Sequence, residues 1–394
     1  MSAPRSHASA ILAGSRAAGA PSAQSMPACA TPEGTRRYAA RFADRAAPGH
    51  FRPQQGLLLS SIGIGTYLGE PDARTDAAYT EAIVEAVTSG ANVIDTAINY
   101  RLQRSERSIR DALAELARRG FARDELLLCT KGGFLTPDGE MPADPSGYFM
   151  REYIEPGVMR VDEIAAGCHC MTPRYLESQI ERSLRNLGVE CIDVYYLHNP
   201  ETQLGAVARE EFAERVHAAF EFLELAVTKG KIRFYGLATW NGFRQPEKAG
   251  DALSLADLEI LAHEIAGDAH HFRFVQLPYN LAMTEALTRA NQSVDERTLP
   301  MIEAAHALEI TLVASASLLQ GQVSRNLPPF IGEVLGLEND RDRALQFVRS
   351  TPGIATALVG MSRAEHVREN LKLVSVPPAP QEQFSKLFDR GKGV

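Results

Sequence analysis

Tryptophan occurs once, cysteine five times, and basic residues are outnumbered, 41 Lys plus Arg against 49 Asp plus Glu. Each scarcity excludes something. The net charge of -8 offers no basic field for a phosphate backbone, so nucleic acid is not an expected partner. An odd, scattered set of thiols argues against a disulfide scaffold and for a reducing compartment, the cytoplasm by default. No uncharged apolar run approaches the roughly 18 residues a spanning helix needs, so no membrane segment is expected. Hydrophobic residues at 45% and charged residues at 23% are, by contrast, those of an ordinary folded protein large enough for a sizeable core.

The first fifty residues stand apart. Fifteen are Ala, the rest are rich in Ser, Pro and Gly, and Glu33 and Asp44 are the only acidic ones. This composition predicts a disordered tail over 1–50, with Met26 an alternative start and a targeting segment the minority reading. The folded domain is then expected over 51–394.

From Gly56 onward, short aliphatic or β-branched runs alternate with stretches of helical period. The runs are 61–65, 92–95, 126–130, 192–197, 232–238, 272–277, 311–314 and 355–359, apolar on both faces as buried parallel strands are. Between them, Thr172-Pro173 opens a helix that buries Leu176, Ile180, Leu184 and Leu187 and stops at Gly188, and another runs from near Thr75 to Gly90. Eight buried strands separated by helices predict an α/β fold, a (β/α)8 TIM barrel, with a long insert over about 132–171 after the third strand. The cluster Gly63-Ile64-Gly65-Thr66-Tyr67-Leu68-Gly69 lacks the spacing of a dinucleotide fingerprint.

In such a barrel the carboxyl ends of the strands face the ligand. The second strand ends in Asp95, the third in Lys131 and the fourth in His198, and Tyr100 follows Asp95 in the next loop. Taken singly, each has a bland explanation as a cap, a solvent charge or a rim aromatic. Together they form a device. A cationic Lys131 beside Tyr100 stabilises its phenolate and is expected to bring its ionisation toward the working range, while Asp95 holds Lys131 charged. A neutral His198 can donate a hydrogen bond to a substrate carbonyl oxygen.

Asp95-Thr96-Ala97 with Tyr100, Lys131-Gly132-Gly133, Tyr196-Leu197-His198, Gly230-Lys231-Ile232-Arg233, Val275-Gln276 with Tyr279-Asn280, and Glu369-Asn370-Leu371 together resemble the aldo-keto reductase superfamily over roughly 57–374. The resemblance implies a barrel enzyme transferring a hydride between a nicotinamide cofactor and an aldehyde, ketone, sugar or the corresponding alcohol. It implies Tyr100 as proton donor, Asp95 and Lys131 as its tuning pair and His198 as the carbonyl-orienting group. The alternative is a redox-sensing subunit that holds the cofactor with little turnover.

The cofactor contacts implied are Gly65, Thr66 and Asp95 on the first two strands and Gln276 at the nicotinamide carboxamide. After the fifth strand, where the family often has Ser-Asn, only Thr239 or, by an offset, Asn241 supplies the polar contact. After the seventh, Ser315 replaces the usual stacking Tyr ahead of Leu318, Gln320 and Gly321, leaving Trp240 or an insert residue to pack the nicotinamide. Gly360, Ser362, Arg363, His366, Glu369 and Asn370 resemble the adenosine-phosphate segment. His366 stands where many members have Arg or Gln, so Arg363 is the expected 2′-phosphate cation and NADP is preferred to NAD. The expected substrate pocket is Tyr67, Phe134, Asn199 and Trp240, for a small carbonyl or alcohol.

The insert carries Phe134, Tyr148, Phe149, Tyr153, Arg151 and Arg160 and is expected to form a lid over the mouth. Its Cys168-His169-Cys170 lacks the paired spacing of a zinc site, so no metal is expected. Cys129 and Cys191 read as strand-core residues and Cys29 as part of the loose tail.

Overall fold

The computed structural model describes residues 28–389. Eight parallel strands close into a barrel, β1 (Ile62–Gly65), β2 (Val93–Asp95), β3 (Leu127–Gly132), β4 (Ile192–His198), β5 (Ile232–Ala238), β6 (Phe272–Pro278), β7 (Thr311–Ser315) and β8 (Ile354–Gly360), with β8 pairing back onto β1. All eight expected runs are strands, each within two residues of its predicted ends.

Strand alternation sorts the side chains. Val93, Leu127, Cys129, Val194, Tyr196 and Phe274 fill the barrel interior, while Ile94, Leu128, Tyr195 and Leu197 point outward against the helices. The same parity, carried to the strand ends, places Asp95, Lys131, His198 and Gln276 inside the barrel, above Val93, Cys129, Tyr196 and Phe274. Burying each large apolar side chain of these two layers contributes about 1.5–3 kcal/mol, and this sets the register that aims the polar ends.

The helices follow their sequence signals. Asp72 caps Ala73–Thr88 by accepting the Thr75 N–H at 2.7 Å. The helix Pro173–Leu187 ends at Gly188 with φ +65, the left-handed stop that glycine adopts without strain. Thr172, expected to cap it through its side chain, instead sets its hydroxyl 3.4 Å from Cys170 Sγ. No helix among the described residues is long and apolar enough to cross a membrane.

The disordered reading of 1–50 is corrected for residues 28–50. The helix Pro32–Ala40 begins on a Thr31 cap whose side chain accepts the Gly34 N–H at 2.9 Å, with Pro32 in the first turn. It buries Tyr38, whose hydroxyl donates to the Val87 carbonyl at 2.6 Å, and Phe42 follows into the same core. Arg37 pairs with Asp124 and Glu125 at 2.6 and 2.7 Å. Apolar anchoring plus partly desolvated ion pairs outweighs the ordering entropy of an Ala-rich segment. Met26 lies outside the described residues. Together with the antiparallel hairpin Phe51–Gln54 and Leu57–Ser60, this segment closes the amino-terminal floor of the barrel, and Leu57 and Leu59 plug its interior.

Candidate functional site

A cavity of about 970 Å³ opens at the carboxyl ends of the strands. On one wall, Lys131 Nζ donates to Asp95 Oδ1 at 2.5 Å and to the Thr96 carbonyl at 2.7 Å, and stands 3.5 Å from Tyr100 Oη. Gln276 Nε2 donates to the other oxygen, Asp95 Oδ2, at 2.7 Å. Both carboxylate oxygens are thereby engaged, and Lys131 is aimed at the Tyr100 hydroxyl from behind. Lys131 is fully buried and does not line the cavity, whereas Asp95, Tyr100, His198 and Gln276 do. The Tyr100 and His198 rings meet edge to face at 5.7 Å.

Electrostatics follow from burial. Desolvation lifts Asp95 above the ordinary carboxylate value, opposed by Lys131 and Gln276. Burial works against the Lys131 ammonium, but Asp95 and Tyr100 outweigh it and hold Lys131 above its ordinary value. His198 lies well below the usual imidazole value through desolvation, with Lys131 adding to it, and is neutral at pH 7. One expectation is corrected here: Tyr100 is raised above its ordinary value, because burial outweighs the opposing pull of Lys131. The phenol is protonated at rest.

A support for His198 comes from the insert. His169 is fully buried; Gln203 Nε2 lies 2.8 Å from its Nδ1, and its Nε2 lies 2.8 Å from the His198 carbonyl. A Gln203 amide donating to Nδ1 places the proton on Nε2, so His169 donates to His198. Phe134 packs edgewise against both rings at 5.2 and 5.1 Å. The middle residue of Cys168-His169-Cys170 therefore braces a strand end, and no group of three or more potential metal-binding side chains occurs among the described residues.

The expected lid is also corrected. Of the insert, only Phe134 lines the cavity. Tyr148, Phe149 and Tyr153 pack with Met159, Cys170 and Tyr175 in a small core of their own, because three large rings in one segment bury more area against each other than over an open mouth.

The remaining expected residues divide cleanly. Gly65, Thr66 and Tyr67 line the cavity, as do Asn199, Thr239 and Trp240. So do Ser315, Leu318, Gln320 and Gly321, and, farther along, Gly360, Ser362, His366, Glu369 and Asn370. Two do not. Asn241 turns its amide to Asp251 at 3.0 Å, which leaves Thr239, its hydroxyl unpartnered, as the polar group after β5. Arg363 is exposed at the start of the short helix Ala364–Asn370 and does not line the cavity. Arg325 and Arg341 line the same end, Arg341 paired with Glu369 at 2.5 Å. Neither sits in a strand-end position that alternation could flag.

Sequence reasoning also missed Glu201. Its Oε1 accepts the backbone N–H groups of Trp240, Asn241 and Gly242 at 2.7, 3.0 and 3.3 Å, fixing the loop that presents Trp240. No sequence signal marks a carboxylate four decades upstream of the loop it clamps.

The sequence model of the Aldo/keto reductase family matches residues 61–329. The chain belongs to that family. It is an oxidoreductase of carbonyl and alcohol groups. It is similar to an uncharacterized oxidoreductase, YqkF, of Bacillus subtilis, 22% identical over 85% of this chain and 94% of that one. It is 28% identical to a 6-dehydroglucose reductase of Novosphingobium aromaticivorans over 50% of this chain and 54% of the relative. Its fold resembles a Klebsiella pneumoniae aldo/keto reductase solved with NADP and acetate, with a TM-score of 0.57, 18% identity and coverage of 87% and 96% of the two chains.

Proposed function

We propose that this aldo/keto reductase passes a hydride between NADP(H) and a small hydroxylated carbonyl compound or its alcohol, with Tyr100 as the proton donor. The observation that carries the reading is the convergence of Tyr100, Lys131, Asp95 and neutral His198 on one cavity wall.

The rest of the cavity fits a long, polar dinucleotide. Thr239 Oγ1 near the strand ends and Asn370 Oδ1 at the far end are buried polar atoms without partners, the kind a polar ligand satisfies. Gln276 and Thr239 would hold the nicotinamide end, Gln320 and Gly321 the pyrophosphate, and Ser362, His366 and Asn370 the adenosine. Arg325 and Arg341 supply fixed cations for a 2′-phosphate. Relatives in fold are crystallised with NADP or NADPH, which agrees with NADP as the preferred cofactor. When bound, the nicotinamide supplies or accepts the hydride.

The chain's own groups do the rest. His198, held neutral, donates a hydrogen bond to the substrate oxygen and orients the carbonyl. As negative charge develops on that oxygen, Tyr100 gives it the phenolic proton, and Lys131, 3.5 Å away, stabilises the phenolate left behind. Asp95 keeps Lys131 charged. The 6-dehydroglucose reductase relative supports a sugar-sized substrate. Tyr67 and Trp240, 59% and 46% exposed at the cavity edge, offer flat faces for a ring carrying hydroxyls.

The test is a fluorescence titration with NADPH and NADH followed by turnover on a panel of aldoses, ketoses and simple aldehydes. Tight NADPH binding with turnover on hydroxylated carbonyls is expected. Absence of binding by either nucleotide overturns the reading, and tight binding without any turnover fits a cofactor-holding subunit instead.

A further inference from the structure

At the opposite end of the barrel two cysteines from distant parts of the chain meet. The Cys29 and Cys191 side chains lie against each other, with the Cys191 thiol donating to the Ile192 carbonyl at 3.6 Å. The contact is built by the backbone around it. The Ala30 N–H donates to Asp193 Oδ1 at 2.6 Å, Arg233 donates to the Ala30 carbonyl, and the Thr31 N–H donates to the Asp124 carbonyl at 3.0 Å. These bonds pin the residue after Cys29 beside Asp193, two residues along the chain from Cys191. Asp193 is itself paired with Arg123 at 2.7 Å, and Arg123 also donates to the Cys191 carbonyl at 3.1 Å. Cys29 is half-buried and open to small reagents, whereas Cys191 is 4% exposed.

We propose that Cys29 and Cys191 form a redox-active dithiol that hydrogen peroxide converts to a disulfide, stapling the N-terminal segment to the floor of the barrel. The two thiols are unequal, as attacker and resolver must be. Cys29 is lowered to about 7, chiefly by the Cys191 side chain against it, with Arg233 and Arg123 assisting and burial and Asp193 opposing. Cys191 is raised by that same contact and by burial. The Cys29 thiolate attacks one peroxide oxygen; an S–O bond forms, the O–O bond breaks, and hydroxide leaves as water, giving a sulfenic acid. That neutral sulfur no longer raises Cys191. The Cys191 thiol then gives up its proton and attacks the Cys29 sulfur, the S–S bond forms, the S–O bond breaks, and a second water departs. Two thiols lose two electrons, and peroxide is reduced to two waters.

The site is independent of the carbonyl chemistry. The seven residues of β4 separate its floor end from His198 by roughly 20 Å, so a disulfide there leaves the mouth chemically untouched.

Peptide mass mapping of the full, pre-reduced chain after limited hydrogen peroxide tests this, without reductant in the digest. The expected product is a linked pair of peptides containing Cys29 and Cys191, two hydrogens lighter than the reduced pair. Cys29→Ser abolishes the link and leaves Cys191 a free thiol. Cys191→Ser stops Cys29 at the sulfenic acid, captured by dimedone. The oxidised wild type unfolds several degrees above the reduced form, a shift absent from Cys29→Ser. Any of three results overturns the proposal: both thiols free after oxidation, a bridge to another cysteine, or Cys29 carried to sulfinic acid in the wild type without linkage.

Discussion

The two halves of the cavity are built by different rules. In the half around Tyr100, Asp95 and Lys131 saturate one another, and His198 is braced from behind by His169. Both halves keep buried polar atoms without partners, His198 Nδ1, Asn99 Oδ1 and Thr239 Oγ1 in the first and Asn370 Oδ1 in the second, where the cations, Arg325 and Arg341, come from outside the strands. The first half is preorganised for a small, fixed chemical event. The second is assembled largely from loop and helix residues that no strand holds. Groups locked by mutual bonds lose little entropy when they act, whereas orphaned groups gain their partners only on binding.

Variants separate the two halves, beginning with the largest expected effect. Tyr100→Phe folds and binds NADPH with an unchanged dissociation constant but loses at least about 100-fold in turnover. Steady-state rates beside a binding titration read both halves at once, and a Tyr100→Phe enzyme that keeps turning over sinks the proposed proton donor.

Acid stability comes next and belongs to the braced half. His169 is lowered to about 4 from an ordinary value of 6.5, chiefly by burial. The unfolded chain therefore binds its proton near 6.5 while the native chain resists until about 4. Its contribution to stability is whole above 6.5 and is lost as pH falls toward 4, by an amount on the order of 3 kcal/mol. His169→Gln, followed by urea denaturation across that window, shows a shallower loss on acidification; an unchanged slope places the effect elsewhere, with His50, which is lowered to about 4 in the same way, the first to examine.

In the other half, Arg341→Ala weakens NADPH about tenfold and leaves NADH nearly unchanged, because only the phosphate-bearing nucleotide loses a charged partner. Arg363→Ala, directed away from the cavity, alters either dissociation constant less than about twofold. A reversed ranking of these two arginines returns the phosphate contact to the position that the family resemblance implied.

Most of both halves was legible in the sequence, the strand ends from periodicity and the far end from the family resemblance, and the difference between those two signals has a physical basis. Asp95, Lys131, His198 and Gln276 sit two residues beyond Val93, Cys129, Tyr196 and Phe274, so period-2 alternation alone turns them into the barrel. Thr239 and Asn241 lie beyond the last strand residue, where alternation ceases, and only backbone geometry separated them. Arg363 likewise lies beyond the end of β8, outside the reach of alternation. The floor contained a legible signal that composition hid: Thr31-Pro32 is the same helix start that marks Thr172-Pro173, but it follows an Ala-rich stretch that reads as disorder.

The sequence by itself determined what repeats locally: eight buried strands, their helical crossovers, and the inward facing of each strand-end group. Those follow from side-chain periodicity and apolar burial, which act within a few residues. Tertiary structure alone decided what joins distant segments. It brought Arg341 to the far end of the cavity, folded the insert's rings onto themselves instead of over the mouth, seated the N-terminal helix on the floor and set Cys29 against Cys191. None of these has a local period, because each is a contact chosen by closure of the barrel, and closure is a property of the whole chain.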